Sequence, residues 1–255
     1  MCFHTAQTKS VQQIEEAYQV TLSKNAQRDL FDTPRYHING FTHEQLLIIP
    51  QEKSTVLAAA TWGIAPENKT IDELKSYYKE SVRFGAGLNA RSEKLFSHFL
   101  YKNLIFSKRC IIPITAFFEP HEFKKKKYPF VICPKSDEFL SLAGIYSRIG
   151  KVVTFAILTK EASPIHAKIH NVKKRQPVIL QKDKVATWLS SNLTDVDINS
   201  LLGLKHDENK LNYYTVSKYL FHPKIDSNLP SIMEKVAYEE LDFNNRFYLI
   251  FHSML

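Results

Sequence analysis

The stretch CIIPITAFFEPHEFKKKKYPFVICP (residues 110–134) decides how this chain folds. CIIPITAFFE and YPFVICP are rich in β-branched and aromatic side chains, which fit a pleated, half-buried surface. The lysine run Lys124–Lys127 between them reads as a β-hairpin tip, either a solvated turn or a surface laid against phosphate. Downstream, FLSLAGIYSRI (139–149) and VVTFAILT (152–159) repeat the pattern around a Gly150–Lys151 turn. PVILQ (177–181) and LNYYTVS (211–217) add further strands. Helical spacing appears in VQQIEEAYQVTL (11–22), DELKSYYKESV (72–82), SEKLFSHFLYKNLI (92–105, with Ser92 as N-cap) and DKVATWLSSN (183–192). The sum predicts an α+β fold: a twisted, mostly antiparallel β-sheet or open barrel with flanking helices.

The 255 residues, 44% hydrophobic and 12% aromatic, are enough for a substantial core and exclude a disordered chain. Thirty-four basic against 26 acidic residues leave a net charge of +8, which favours a polyanion, nucleic acid before anionic membrane. The 3 cysteines are odd in number and form no CxxC, against a disulfide framework or a cysteine-rich zinc module. The first twenty residues lack the apolar core of a signal peptide, and the longest apolar run, VLAAATW, is too short to span a bilayer. A cytoplasmic monomer without membrane contact or cofactor is expected. No repeat or linker divides the chain, so a single domain over residues 2–250 is expected.

Several stretches could carry chemistry. Cys2 follows the initiator Met1, which is removed when the second residue is small. Removal would leave an α-amine (pKa about 8) and a thiol (about 8.5) on neighbouring carbons. Such a 1,2-aminothiol condenses with an aldehyde to an imine, and the thiol then closes a five-membered thiazolidine. The plainer reading of Cys2 is a small apolar residue near a terminus. In GLNARSEKLF, Asn89 and Arg91 share a face of an extended stretch, an amide beside a phosphate-binding fork, or simply an exposed helix entry. Glu119 ends an apolar strand, either desolvated enough for proton transfer or reaching solvent. His166 and His170 lie four apart, but Ala167, Lys168 and Ile169 between them lack the glutamate of HExxH. A single histidine acting as acid or base fits better than a metal site. Trp62, in TWGIAPEN, is either a stacking side chain at a loop tip or core.

In fixed order, MC, WGIAP, LNARSE, KRCIIPITAFFEP, YPF, LAGIY, FAILTKEA, IH and RQPVIL resemble the SOS-response-associated peptidase (SRAP) family of abasic-site processing proteins. The resemblance runs from residue 2 to about 190, with a weaker continuation at YTVSK. It implies a SRAP-like domain that traps the aldehyde of a ring-opened abasic site in single-stranded DNA as a thiazolidine crosslink. It also implies autocatalytic loss of Met1, lyase-like reactivity and association with the bacterial nucleoid on damage. Cys2 would be the nucleophile, Asn89 would position it, Glu119 would shuttle protons, and His170 would assist opening of the sugar. Arg91, Trp62, His4, Lys174 and Arg175 would contact DNA. The chain departs from the family at Phe3–His4, where Gly-Arg is common. It departs again at Ala116 and Pro120, and at HNVKKRQP, which carries extra residues before Arg175. Two rivals follow from the same residues: an N-terminal-nucleophile cysteine amidohydrolase or peptidase, and a non-catalytic basic single-stranded-DNA-binding module.

Overall fold

The computed structural model describes residues 2–242; Met1, whose removal is expected above, and residues 243–250 of the expected domain lie outside the described residues. Fourteen strands are present among them: β1 (His4–Gln7), β2 (Thr21–Leu22), β3 (Arg35–Asn39), β4 (Gln45–Pro50), β5 (Val56–Trp62), β6 (Asn89–Arg91) and β7 (Arg109–Ile114). There follow β8 (Ala116–Phe123), β9 (Lys126–Pro134), β10 (Leu140–Ile149), β11 (Val152–Glu161), β12 (Arg175–Pro177), β13 (Ile179–Leu180) and β14 (Leu211–Thr215). One sheet runs β14-β9-β8-β1-β3; the other runs β12-β11-β10-β7-β4-β5-β2. Parallel pairing of β5 with β11 closes β11-β10-β7-β4-β5 into a five-stranded barrel, so the expected mostly antiparallel α+β fold holds and its barrel is closed. No helix among the described residues is long and apolar enough to cross a membrane.

CIIPITAFFE, read above as one strand, is two. The chain leaves the barrel at Thr115 and enters the second sheet at Ala116. Thr115 makes the joint: its N–H and hydroxyl both donate to the Ala6 carbonyl, at 2.9 and 3.1 Å. The lysine run is the β8–β9 hairpin tip, with Lys124 and Lys125 at φ 48° and 62°. Both central residues are therefore left-handed, the geometry that matches the twist of a two-residue hairpin. The Gly150–Lys151 turn joins β10 to β11 as expected.

The apolar runs alternate between two cores. Leu47, Ile49 and Ile111 pack with Val11 and Ile14 of the helix Val11–Tyr18. Leu46, Ile48 and Ile112 pack on the other side with Trp62, Phe155 and Cys2. The period of two along each strand sends neighbours to opposite faces, and each fully buried Ile or Leu contributes about 2 kcal/mol. The first helix begins at a Ser10–Gln13 capping box and stops at left-handed Gln19, short of the expected residue 22, because Thr21 and Leu22 pair with β5. The 72–82 helix appears as Leu74–Ser81. The expected helix 92–105 is mostly a succession of turns, with a short helix only at Leu104–Ser107. The Leu100 N–H donates to His98 Nδ1, and the His98 ring stacks on Phe99 and Tyr101, which diverts the ladder. Ser92 opens only a 3-10 turn and caps nothing. The 183–192 helix shortens to Val185–Trp188.

Candidate active site

Four segments distant in sequence meet at Cys2. The antiparallel register of β1 on β8 pairs His4 with Phe118. Carried two residues back, it sets Cys2 level with Pro120 and beside Glu119. Cys2 is fully buried, and its thiol points to the His4 carbonyl at 3.9 Å. Burial first, and the Glu119 carboxylate second, push the thiol pKa up, so it stays protonated.

Asn89 arrives on β6, which pairs with β11 through Asn89 and Ile157. Its Nδ2 donates to the Cys2 carbonyl at 2.9 Å. Its Oδ1 is buried and accepts no hydrogen bond among the described residues, leaving an acceptor beside Cys2. Gly87 makes the approach to β6: it has φ +68°, and a Cβ there would lie 2.4 Å from the Ile64 carbonyl oxygen. Only glycine fits that turn.

Glu119, on β8, is 1% exposed, and burial pushes it up to about 7. His170 caps the helix Pro164–Ile169, whose start is fixed by the Ser163 N-cap and Pro164. Its Nδ1 lies 3.1 Å from the Arg175 carbonyl and 3.1 Å from Glu119 Oε2. A carbonyl only accepts, so Nδ1 carries the hydrogen and Nε2 is left as the basic atom. Burial lowers the His170 pKa, so the ring is neutral beside a carboxyl poised near neutrality.

Two further residues hold this arrangement. His121 Nδ1 reaches the Lys168 and Ile169 carbonyls at 3.0 and 3.2 Å, pinning the helix end to β8. Asn171 exchanges two hydrogen bonds with the Glu122 backbone, at 3.0 and 2.8 Å, just past His170. Neither was singled out in the sequence. His121 follows Glu119 at i+2 on one strand face, and that spacing was the available signal.

The residues expected on DNA divide. Arg91 and Lys174 are exposed. Trp62 offers no stacking face: it is fully buried, donates Nε1–H to the Leu88 carbonyl at 2.9 Å and stacks on Phe155. Arg175 is occupied, forked onto Glu93 at 2.7 and 3.0 Å and bonded to the Thr159 carbonyl at 2.7 Å. His4 carries no charge to offer a phosphate, because burial and neighbouring His37 hold it down to about 3. Of the four central residues, His170 lines an open groove of about 780 Å3 that also includes Phe3, His4, Lys127, Lys173 and Phe221.

Comparison with known proteins finds similarity over most of the chain. The family model described as SOS response associated peptidase (SRAP) matches residues 1–223. The abasic site processing protein YoqW of Bacillus subtilis (strain 168) is 30% identical over 195 residues, 74% of this chain and 81% of its own. The abasic site processing protein YoaM of the same organism is 30% identical over 188 residues, 71% of this chain and 78% of its own. A crystal structure of a protein from Bacteroides thetaiotaomicron superposes with TM-score 0.79 at 26% identity, covering 92% of this chain and 100% of that one.

Proposed function

The chain belongs to the SOS response associated peptidase family, and from that premise we propose that it processes abasic sites in single-stranded DNA through a thiazolidine crosslink at Cys2. The observation that carries the reading is the bond from Asn89 Nδ2 to the Cys2 carbonyl, with an unfilled buried acceptor on the same carboxamide. The relatives' names, abasic site processing protein, support the substrate.

Hydrolysis of the Met1–Cys2 peptide bond turns the Cys2 nitrogen from an amide into an amine. Asn89 Oδ1 accepts one of the new N–H groups and aims the lone pair. An abasic sugar exists mostly as a closed hemiacetal, so its ring must open first. His170 Nε2 accepts the C1 hydroxyl proton while Glu119, half-protonated near neutrality, gives a proton to the ring oxygen. The proton gained by His170 is returned to Glu119 through Nδ1, 3.1 Å from its Oε2. The amine then adds to the C1 aldehyde, and its two N–H protons pass by way of Glu119 to the carbonyl oxygen, which departs as water when the imine forms. Because burial keeps the thiol protonated, the amine reacts first. The sulfur then bonds to the imine carbon, its proton passes to nitrogen, and the ring closes with no oxidant or reductant required.

The test is a gel. The protein freed of Met1, mixed with a single-stranded oligonucleotide bearing one abasic site, should give an SDS-stable shifted band. Cys2→Ala, or a variant that retains Met1, should give none. An undiminished band from either would overturn the mechanism. Repeated turnover on amides without a DNA adduct would favour the amidohydrolase reading, and salt-sensitive binding indifferent to the lesion would favour the passive DNA-binding module.

A further inference from the structure

The open groove beside His170 is not built for phosphate. Three carboxylates, Glu44, Glu122 and Asp226, line it against two lysines, Lys127 and Lys173. Among the described residues, Glu122 and Asp226 make no ion pair, while Glu44 lies 3.5 Å from Arg35. Two of its imidazoles, His4 and His37, do not redress the balance at the far end. His4 Nδ1 and His37 Nε2 share one hydrogen across 2.9 Å, and His37 Nδ1 is 2.6 Å from Ser227 Oγ. Two rings joined this way, each with its inner nitrogen used, form a neutral chain; burial holds both well below the ordinary histidine range.

The same end of the groove is aromatic. Phe3 and Phe41 lie 4.9 Å apart, centroid to centroid, and Phe41 is 41% exposed. The His4 ring packs 5.2 Å from Phe221. Flat apolar faces, neutral imidazoles and unpaired carboxylates repel a backbone phosphate and suit the face and edge of a base splayed from a single strand.

We propose that Phe3, His4, Phe41 and Phe221, backed by His37 and Ser227, seat the nucleobase beside the abasic residue and favour bases with an exocyclic amino group over thymine. The proposal rests on the abasic-site reading above. The discrimination comes from Asp226, which accepts hydrogen bonds from an amino group and meets only acceptors on the pairing edge of thymine beyond its single imide N–H. Asp226 is held facing this end by the Asn228 N–H, which donates to its Oδ1 at 2.9 Å. The Asn228 side chain in turn accepts from the Tyr36 and His37 N–H groups at 2.8 and 3.3 Å, fixing the loop to β3.

The experiment uses abasic oligonucleotides differing only in the nucleotides flanking the lesion, dT or dC on each side in turn. Crosslinking rates are measured against protein concentration. The half-saturating concentration should be about tenfold lower with the dC flank on one side, the worth of one good base contact. Asp226→Asn and Phe41→Ala, both at exposed positions, should each bring that ratio toward one. Crosslinking that proceeds equally well beside every base would overturn this inference while leaving the abasic-site reading intact. Absence of any crosslink would instead overturn the reading beneath it. A binding salt slope that falls by about one in His37→Gln would identify a phosphate seat, and would also overturn the proposal.

Discussion

Asn89 donates to the Cys2 carbonyl at 2.9 Å across 87 positions of sequence, while the other end of its carboxamide is buried with no partner among the described residues. A buried acceptor left open costs about 1–3 kcal/mol, and in the proposed mechanism it is the place for the incoming N–H. Asn89→Leu keeps the side-chain volume and removes both groups. Crosslinking to an abasic oligonucleotide should slow by about 10- to 100-fold, the rate equivalent of that energy, with little loss of stability. Single-turnover gel kinetics read the rate, and an effect under about twofold would remove Asn89 from the mechanism.

Glu119 and His170 pull stability in opposite directions with pH. Glu119 is raised to about 7, so between about 4.5 and 7 the folded protein holds a proton that the unfolded chain has lost, and stability falls as pH rises. His170 is lowered to about 4, so between about 4 and 6.5 the unfolded chain binds the extra proton, and stability rises with pH. The two slopes oppose each other through the overlap. Glu119→Gln removes the first, and the variant should gain on the wild type above pH 7 by on the order of 3 kcal/mol. Urea unfolding at pH 5 and pH 8 measures it; the same difference at both pH values would contradict a raised carboxyl.

The strands were legible because β-branched runs and turn residues carry their own pattern, and YPFVICP and VVTFAILT lie within the strands they suggest. The break inside CIIPITAFFE was not. Thr115 bends the chain through bonds to Ala6, a residue more than a hundred positions away, and no local spacing encodes such a partner. For the same reason the helix expected over 92–105 fails: His98 intercepts the ladder with its own ring. Among the site residues, Cys2, Asn89, Glu119 and His170, which the proposed mechanism uses, stand out by residue type and order. The scaffold around them, His121, Asn171 and the Arg175–Glu93 fork, depends on contacts made only after folding.

That fork separates two arginines expected to act alike. Arg91 is exposed on β6, whereas Arg175 ties the loop after His170 to the turn after Asn89 through Glu93. Arg91→Gln should weaken binding of any single-stranded DNA and reduce the magnitude of the salt slope by about 0.7, one phosphate's worth. Arg175→Gln should leave the salt slope unchanged and slow crosslinking, because the loop whose carbonyl orients His170 Nδ1 loosens. Fluorescence anisotropy of an unmodified oligonucleotide at several salt concentrations separates the cases. A reduced slope in Arg175→Gln would put its guanidinium on phosphate after all.

Trp62 closes the barrel instead of meeting DNA. It pairs with Phe155 across the parallel β5–β11 junction, and its indole N–H satisfies the Leu88 carbonyl, one residue before Asn89. Gly63, next in the chain at φ +131°, admits no side chain, since a Cβ would lie 2.5 Å from His43 Nδ1. Trp62→Phe leaves a void and removes one of the two hydrogen bonds to the Leu88 carbonyl, which keeps the Ile157 N–H at 3.1 Å. The expected cost is about 2–4 kcal/mol, the sum of a large-to-small core change and a lost buried hydrogen bond. Affinity of the folded variant for unmodified single-stranded DNA should stay within about twofold, since a buried ring adds no base stacking to lose. Paired denaturation and anisotropy measurements decide it: an unchanged midpoint with a tenfold loss of DNA affinity would return Trp62 to the binding surface.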